Sequence, residues 1–348
     1  MYSIKLDTTM KYKNVILTKR GGSEVLKIAE SEHHIPKANQ VKIKILACGI
    51  GRTDIAMRHG YYPFAPKIPF VPGYEIVGKI ESVGSGGTEF VEGETVAALT
   101  VVGGYSEYIY LDQQHLVKVP EGLDLAAVAA IILNYTTAYQ MLKRVSKVKA
   151  GDRVLINGAS GGVGTALLDL GKLEGLIMYG TASANKHDII KKYGAFPIDY
   201  NSENFIDFIC KREPDGLDYI FDGVGKSHIR KSFTILAKRG KLVEFGYPDF
   251  RGMLFGLIMI KILNILPNNR KASVYGISGS YKKKRPIILT DLQNLLSLLK
   301  ENKIKPIISK RMPLLEASEA NQILESGRVS GKIVLVAPEL LSYQTNFH

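Results

Sequence analysis

A glycine-rich turn at residues 155–164, with the sequence LINGASGGVG, is the clearest chemical motif in the chain. Its spacing is that of the dinucleotide-binding fingerprint, with alanine at the first position. Gly161 lacks a Cβ atom, so the backbone can approach a pyrophosphate, and Gly164 lets the next helix pack tightly on the strand. The helix amino terminus then offers free N–H groups to an anion. We therefore predict a dinucleotide site, with a purely structural turn as the alternative. The candidate binding residues are Ala159, Ser160, Gly161, Gly162, Val163 and Gly164.

The end of the second predicted strand indicates which dinucleotide binds. NAD sites usually carry Asp or Glu there, about 20 residues after the turn, to bind the ribose hydroxyls. This chain has TASANKH at 181–187, with Ser183 at the tip and Lys186 after it. A hydroxyl and an ammonium bind a 2′-phosphate, whereas a carboxylate repels it. The segment predicts NADPH rather than NADH, and Tyr200, after the next strand, is expected to flank the adenosine. Lys186 as a solvated lysine is the alternative.

Two kinds of sequence pattern must position these residues. The first part has short strand patterns bounded by glycine, such as the alternating VKIKILACG at 41–49, and a loop with four prolines at 61–74. From about residue 151, strand and helix patterns alternate, which indicates βαβ units. The predicted fold class is α/β, with a Rossmann-type doubly wound parallel sheet inserted into a β-rich domain. The predicted domains are 1–130 with 277–348, and 131–276.

Composition limits the class of protein. The chain has 348 residues, of which 45% are hydrophobic and 23% charged, as in globular proteins with a core. The net charge is +13, but no nucleic-acid-binding signature is present, and a lysine-rich solvated surface is the preferred explanation. Two cysteines form no disulfide framework, and the amino terminus resembles no secretory signal. We therefore expect a cytoplasmic protein that binds no nucleic acid.

The apolar run at 253–267 is too short to span a membrane, which takes about 20 apolar residues. A buried or interface helix is the favoured interpretation, and insertion into a membrane surface is the less favoured one.

Several motifs together resemble those of the medium-chain dehydrogenases/reductases, within them the zinc-free quinone oxidoreductase branch, and most of all bacterial relatives of the vesicle amine transport protein group. The resemblance covers nearly the whole chain and implies that the β-rich domain is a GroES-like catalytic domain. It implies an apolar quinone or enone as the small-molecule substrate, and a homodimer is expected. The matching motifs are GIGRTDIAMRHGYYP, PFVPGYEIVGKIESVG, GGYSEY, LNYTTAYQML, GASGGVGTALL, GTASANKH, DYIFDGVG and SGKIVLV.

The resemblance implies that no metal binds. Zinc-dependent members carry cysteine at the position of Gly51 and histidine at that of Tyr74, and zinc needs three or four N, S or O ligands. Cys48 and His59 are interpreted as a core cysteine and a loop histidine. Many quinone reductases have asparagine at the position of Gly51, so a mechanism using that side chain is in doubt here.

The resemblance also places candidate catalytic and cofactor residues. Tyr62 is the first candidate to donate a hydrogen bond or proton to the substrate oxygen, and Tyr74 is the second; packing roles for both, with protonation by solvent, are the alternative. Asp54 matches the family aspartate, and a loop-holding role is favoured for it. The further expected cofactor contacts are Thr137, Val224, Gly225, Phe245 and Gly246.

The predicted function is zinc-independent, NADPH-dependent hydride transfer to a quinone or an α,β-unsaturated carbonyl compound. Two alternatives stay open. One is a nucleotide-binding, membrane- or lipid-associated protein with little turnover, and the other is an enoyl-thioester reductase.

Overall fold

The structure is a computed structural model that describes residues 10–86, 89–247 and 249–341. The chain divides into two compact units. One holds the described residues up to Leu133 together with Leu292–Lys300 and the residues from Ile308 onward. The other holds Asn134–Asp291 and Glu301–Ile307. The chain thus returns to the first unit at Leu292, later than the residue 277 predicted from the sequence.

The first unit is built on a seven-stranded sheet in the order β14-β15-β3-β4-β5-β7, with β6 paired to β3, and on a separate β1-β2 ribbon. Alternate residues of β3 are buried, as its period-two pattern predicts, and pack with β15 in one apolar core. The strands are β1 (Lys11–Leu17), β2 (Leu26–Glu32), β3 (Gln40–Ile50), β4 (Glu75–Val83), β5 (Thr95–Leu99), β6 (Tyr108–Asp112), β7 (Leu116–Lys118), β14 (Ile308–Pro313) and β15 (Lys332–Val336). The helices are α1 (Arg52–His59), α2 (Leu125–Ile132), α10 (Ala317–Glu325) and α11 (Pro338–Leu341).

The second unit is a six-stranded, all-parallel sheet in the order β10-β9-β8-β11-β12-β13. Counted within the unit, this is the doubly wound order 3-2-1-4-5-6. The predicted fold class is confirmed. The strands are β8 (Arg153–Asn157), β9 (Ile177–Ala182), β10 (Phe196–Asp199), β11 (Leu217–Asp222), β12 (Leu236–Glu244) and β13 (Lys271–Val274). The helices are α3 (Asn134–Tyr139), α4 (Gly162–Leu173), α5 (His187–Lys192), α6 (Phe205–Arg212), α7 (Ser227–Thr234) and α8 (Phe250–Ile265).

Two helical segments differ from the sequence patterns. The pattern across 124–145 predicts one helix, but α2 ends at Ile132, α3 begins at Asn134, and a π-helical stretch, Gln140–Ser146, follows. Helix α9 (Ile277–Lys300) contains a kink at Lys284, two residues before Pro286, because proline removes a helical hydrogen bond.

Helix α8 is only half buried. Gly252, Gly256, Ile260 and Leu263 pack inward, while most of its other apolar side chains are exposed. The single chain therefore does not bury this segment, and of the expected buried or interface helix only the interface role stays a prediction. Among the described residues no single helix is long and apolar enough to cross a bilayer. One bent pair of helices, Leu125–Ile132 with Asn134–Ser146, has the length and the apolar composition that a span needs.

Candidate active site

The glycine-rich turn joins β8 to α4 in the second unit. Gly158 has a φ of +78°, which favours glycine, and Gly161 is the residue that precedes the first turn of α4. The amide of Gly158 donates to Thr181 Oγ1 at 3.1 Å, and the amide of Ala159 donates to the Thr181 carbonyl at 3.0 Å. These bonds fix the turn against β9. The amides in the first turn of α4 have no partner within their own helix and point to where an anion would bind.

Close packing explains two of the glycines. A Cβ on Gly164 would lie 2.3 Å from the Gly158 carbonyl oxygen, and a Cβ on Gly162 would lie 2.4 Å from Asn134 Nδ2. Gly161 is different, because its Cβ would meet only the Gly158 oxygen, at 3.4 Å. Its side is open, as close approach by a ligand requires.

The other predicted cofactor residues follow neighbouring strands of the same parallel sheet. Because all six strands run in the same direction, their carboxyl ends share one edge, where such folds bind ligands. Ser183 follows β9 and its hydroxyl donates to Asn185 Oδ1 at 2.7 Å, and Lys186 is partly buried three residues on. The remaining residues at this edge are Tyr200 after β10, Val224 and Gly225 after β11, and Phe245 and Gly246 after β12.

Helix α3 lies against α4. Tyr135 donates to Asp169 Oδ2 at 2.7 Å, and Asp169 also accepts the amide of Lys305 at 2.7 Å. These bonds hold α3 in place. The side chain of Asn134, at the start of α3, lies beside Gly162 in the first turn of α4. Thr137, one turn further along α3, is buried.

Two carboxyl groups that the sequence patterns did not indicate lie side by side at the ends of β11 and β12. Asp222 and Glu244 are register partners and both are fully buried. Asp222 accepts the amides of Val224 and Gly225 and the side chain of Asn157 at 2.8–3.2 Å. Glu244 lacks such partners: neither of its carboxyl oxygens has a well-formed hydrogen bond within the described part of the chain, and only the nearby amide of Gly246 favours its ionised form. Burial, and then the nearby Asp222, raise the pKa of Glu244 to about 10. Glu244 is therefore a neutral acid at pH 7. The sequence feature that could have indicated this buried acid is a glutamate inside the otherwise apolar strand pattern KLVEFG.

We expect Glu244→Gln to raise the free energy of unfolding by roughly 2 kcal/mol at pH 7. The ordinary glutamate pKa of 4.5 applies in the unfolded chain. Protonating the residue at pH 7 thus costs about 3.4 kcal/mol, at about 1.36 kcal/mol per pH unit, and the buried amide offsets part of the gain. Because the folded pKa is raised, the wild-type contribution is complete below 4.5 and is lost as pH rises towards 10.

The measurement is urea unfolding at about pH 5, 7 and 9, where the variant should lose less stability with rising pH than the wild type. Glu203→Gln, at an exposed position of the same unit, is the matched control and should leave the slope unchanged. Parallel slopes for the wild type and Glu244→Gln would show that Glu244 is ionised in the folded protein.

In the first unit the two candidate tyrosines come together. Their hydroxyl oxygens are 2.7 Å apart, and their rings meet edge to face with centroids 6.0 Å apart. Tyr74 is fully buried, while Tyr62, on the proline-rich loop, is partly exposed. If Tyr74 donates to Tyr62, the Tyr62 hydroxyl keeps its own proton for another acceptor.

Asp54 holds the backbone on the Tyr74 side of this pair. Its buried carboxylate accepts the amide of Gly51 at 2.8 Å and the amide of Gly73, beside Tyr74, at 3.2 Å. Burial raises its pKa to about 6, against the lowering effect of these amides. Asp54 touches main chain on both sides, so the geometry gives it a positioning role.

The residue that follows Tyr74 in the sequence, Glu75, belongs to a buried ion pair. Glu75 is 0% exposed and Lys332 3% exposed, and their side chains are paired. The other oxygen of Glu75 accepts the amide of Leu133 at 2.5 Å. Burial raises the pKa of Glu75, and the ammonium of Lys332 opposes that shift. A Cβ on Gly49 would overlap both side chains, so glycine is required there.

Cys48 and His59, interpreted above as a core cysteine and a loop histidine rather than as zinc ligands, make other contacts. Cys48 is fully buried and its pKa is raised by burial, as a core cysteine requires. His59 is the last residue of α1 rather than a loop residue, and its Nε2 lies 2.8 Å from Glu325 Oε1. In the described ranges, no three His, Cys, Asp or Glu side chains group as a metal site.

Comparison with known proteins agrees with this architecture. An alcohol dehydrogenase GroES-like domain model matches residues 37–121, and a zinc-binding dehydrogenase model matches residues 193–335. Quinone oxidoreductase of Homo sapiens is 32% identical over 324 residues, covering 91% of this chain and 95% of that protein. The synaptic vesicle membrane protein VAT-1 homolog of Rattus norvegicus is 30% identical over 338 residues, covering 92% and 83%.

A solved structure, Escherichia coli quinone oxidoreductase complexed with NADPH, superposes with a TM-score of 0.85 at 26% identity and covers 93% of this chain and 99% of that one. The chain belongs to the medium-chain dehydrogenase/reductase superfamily, and its relatives include quinone oxidoreductases. The resemblance inferred from the motifs is confirmed.

Proposed function

We propose that this protein is a zinc-independent, NADPH-dependent oxidoreductase that transfers hydride to a quinone or an α,β-unsaturated carbonyl compound. The observation that carries the proposal is the turn between β8 and α4, which opens at the carboxyl edge of a doubly wound sheet. The similarity of the whole chain to quinone oxidoreductases, one of which has a solved structure with NADPH, supports the same activity.

The residues present fit the cofactor. Gly161 leaves open the side of the turn that a pyrophosphate would approach, while Gly164 keeps α4 against the strand. Ser183 and Lys186 offer a hydroxyl and an ammonium at the next strand end, where a 2′-phosphate would bind, and no acidic residue occurs in 181–187. When bound, NADPH supplies the hydride. Thr137, Val224, Phe245 and Gly246 would line the site, with Tyr200 towards the adenosine.

Tyr62 is the proposed donor to the substrate oxygen. Hydride addition to the carbon chain leaves negative charge on that oxygen, and a preorganised hydroxyl stabilises it. In the arrangement in which Tyr74 donates to Tyr62, the Tyr62 proton is directed to the substrate oxygen, and Asp54 holds the main chain at Gly73, next to Tyr74. Gly51 and Tyr74 replace the cysteine and histidine of zinc-dependent members, so polarisation of the substrate falls to these hydroxyls.

The direct test is oxidation of NADPH by a panel of quinones, enones and enoyl thioesters, with and without a metal chelator. Turnover with a quinone or enone that the chelator leaves unchanged is the expected result. Turnover only with enoyl thioesters would select that alternative. No turnover with any of the three classes would leave a nucleotide-binding role and contradict the proposal.

We expect Ser183→Asp to raise the Kd for NADPH about 100-fold, or roughly 2.7 kcal/mol, while the Kd for NADH changes little. The aspartate removes a hydrogen-bond donor and adds repulsion of the 2′-phosphate. Calorimetric titration with both cofactors provides the measurement, and Ser183→Ala, which loses only the hydroxyl, should show about a tenfold effect on NADPH. An equal change in both Kd values would contradict NADPH preference.

A cytoplasmic location and a homodimer remain predictions. Light scattering of the purified chain measures the second of them.

A further inference from the structure

Four buried polar side chains form a row across the parallel sheet, at the carboxyl ends of four neighbouring strands. Asn157 on β8 is the register partner of Thr181 on β9 and of Asp222 on β11. Asp222 is in turn the register partner of Glu244 on β12, and each of the four is at most 1% exposed. We call this set the polar row. Burying polar groups is unfavourable unless they are hydrogen-bonded, so the bonds of the row decide what it does.

Hydrogen bonds run along three members of the polar row without a break. The hydroxyl of Thr181 accepts the amide of Gly158, in the glycine-rich turn, at 3.1 Å and donates to Asn157 Oδ1 at 3.3 Å. Asn157 Nδ2 donates to Asp222 Oδ2 at 3.2 Å and to Ser232 Oγ, on α7, at 3.0 Å. Asn157 is therefore the member that joins its neighbours on both sides.

Asp222 extends these bonds into the loop that follows β11. Its Oδ1 accepts the amides of Val224 and Gly225 at 2.8 and 3.1 Å. This loop packs on the next one, because a Cβ on Gly223 would lie 2.8 Å from the ring of Phe245, after β12. The amide of Phe245 also donates to the carbonyl of Asp222 at 2.9 Å. One aspartate thus holds two of the loops at the ligand-binding edge.

The polar row crosses the centre of the sheet. In the doubly wound order 3-2-1-4-5-6 the strand order reverses between β8 and β11, and a dinucleotide lies across that crevice with one half on each side. Thr181 lies on the adenosine side, because Ser183 and Lys186 follow the same strand. Asp222 lies on the side that is left for the nicotinamide. The bond from Asn157 to Asp222 is where the row passes from one side to the other.

We propose that the polar row couples the two halves of the dinucleotide site, with Asn157 and Asp222 as positioning residues that hold the nicotinamide-side loops relative to the glycine-rich turn. This coupling rests on the proposed use of NADPH. Both side chains are buried, so they act through the main chain that they hold. A loop held in place binds more tightly, because its ordering is not paid for at binding, and it aims the nicotinamide at its acceptor.

The experiment is calorimetric titration of the full chain with NADPH and with 2′-phospho-ADP-ribose, which has the adenosine, the 2′-phosphate and the pyrophosphate but no nicotinamide. Asp222→Asn keeps an oxygen for the two loop amides but turns an NH₂ group toward that of Asn157, which breaks their bond. We expect it to raise the Kd for NADPH about tenfold and to leave the Kd for the fragment within about twofold. Thr181→Val releases the turn instead and should raise both Kd values about tenfold.

The exchange variant Asn157→Asp/Asp222→Asn separates the bond from the individual side chains. It reverses donor and acceptor between β8 and β11, so that one NH₂ group again faces one carboxylate. Thr181 and Ser232 can both donate to the new aspartate, because each carries a hydroxyl. The Kd for NADPH should return to within about threefold of the wild-type value, which a merely structural role of either residue does not predict.

Two further variants control for stability. Asp218→Asn makes the same substitution at the opposite end of β11, where Asp218 accepts the amide of Arg153 at 2.8 Å, and it should change neither Kd. Ser232→Ala is milder than Asp222→Asn, since it removes one partner of Asn157. It should raise the Kd for NADPH about threefold with the fragment unchanged, which keeps the test valid if Asp222→Asn does not fold.

The outcomes distinguish this coupling from the proposed function. A wild type that binds no NADPH would overturn the proposed function, and the coupling with it. If the wild type binds NADPH but Asp222→Asn and Ser232→Ala weaken both ligands equally, or neither, the coupling alone is overturned. It is also overturned if the exchange variant binds NADPH no better than Asp222→Asn, because the effect then belongs to the position of the charge.

Discussion

Replacing Tyr62 with phenylalanine is expected to lower kcat for the reduction of a quinone or enone by about 10²–10³-fold, the usual loss for one oxyanion donor. The Tyr62 hydroxyl is 2.7 Å from that of Tyr74, on a partly exposed side chain, so its proton can be directed to a substrate oxygen. Phenylalanine keeps the ring and its edge-to-face contact with Tyr74. The KM for NADPH should therefore stay within about twofold, because only transition-state stabilisation is removed.

Two further variants distinguish a donor from a packing residue. Tyr74→Phe should lower kcat about tenfold, because Tyr62 loses the partner that orients it but keeps its own proton. Tyr61→Phe removes a hydroxyl from the adjacent residue of the same loop and should have no effect on kcat. Stopped-flow kinetics under single turnover reports the chemical step directly. If Tyr62→Phe reacts within about twofold of the wild type, the proton comes from solvent and Tyr62 has only a packing role.

The sequence predicted what depends on neighbouring residues. The turn at 155–164 was recognised because a strand, a glycine spacing and a helix follow one another within a few residues, and the structure has that arrangement. The absence of an acidic residue in 181–187 could likewise be read from a short stretch of sequence. The doubly wound parallel sheet followed from the resemblance to the superfamily and from the alternation of strands and helices.

The pairing of distant residues was beyond such patterns. Glu75 and Lys332 lie far apart in the sequence, and neither spacing nor periodicity links a glutamate on β4 to a lysine on β15. Asp222 and Glu244 become neighbours only when β11 and β12 pair in register. Composition left α8 open, because an apolar sequence predicts that a helix needs cover but does not say whether the chain itself provides it.

Lys332→Met is expected to lower the free energy of unfolding by about 3–5 kcal/mol at pH 7, because it leaves a buried carboxylate without its counter-charge. The ammonium of Lys332 opposes the burial that raises the pKa of Glu75, so its removal raises that pKa further. A raised folded pKa means that stability is lost as pH rises above the unfolded value of 4.5. The deficit of the variant should therefore be larger at about pH 8 than at about pH 5 in urea unfolding.

The double variant Glu75→Gln/Lys332→Met should recover most of the loss, since replacing both partners of a buried ion pair is often neutral or stabilising. Lys44→Met provides the exposed comparison on the same sheet. Lys44 pairs with Glu339 at 2.7 Å, but both side chains are more than 40% exposed, so the change should stay below about 1 kcal/mol. If Lys332→Met costs no more than Lys44→Met, the pair contributes nothing by charge. If the double variant is instead as unstable as Lys332→Met, the loss comes from packing around the lysine stem beside Gly49, where a Cβ would already overlap it.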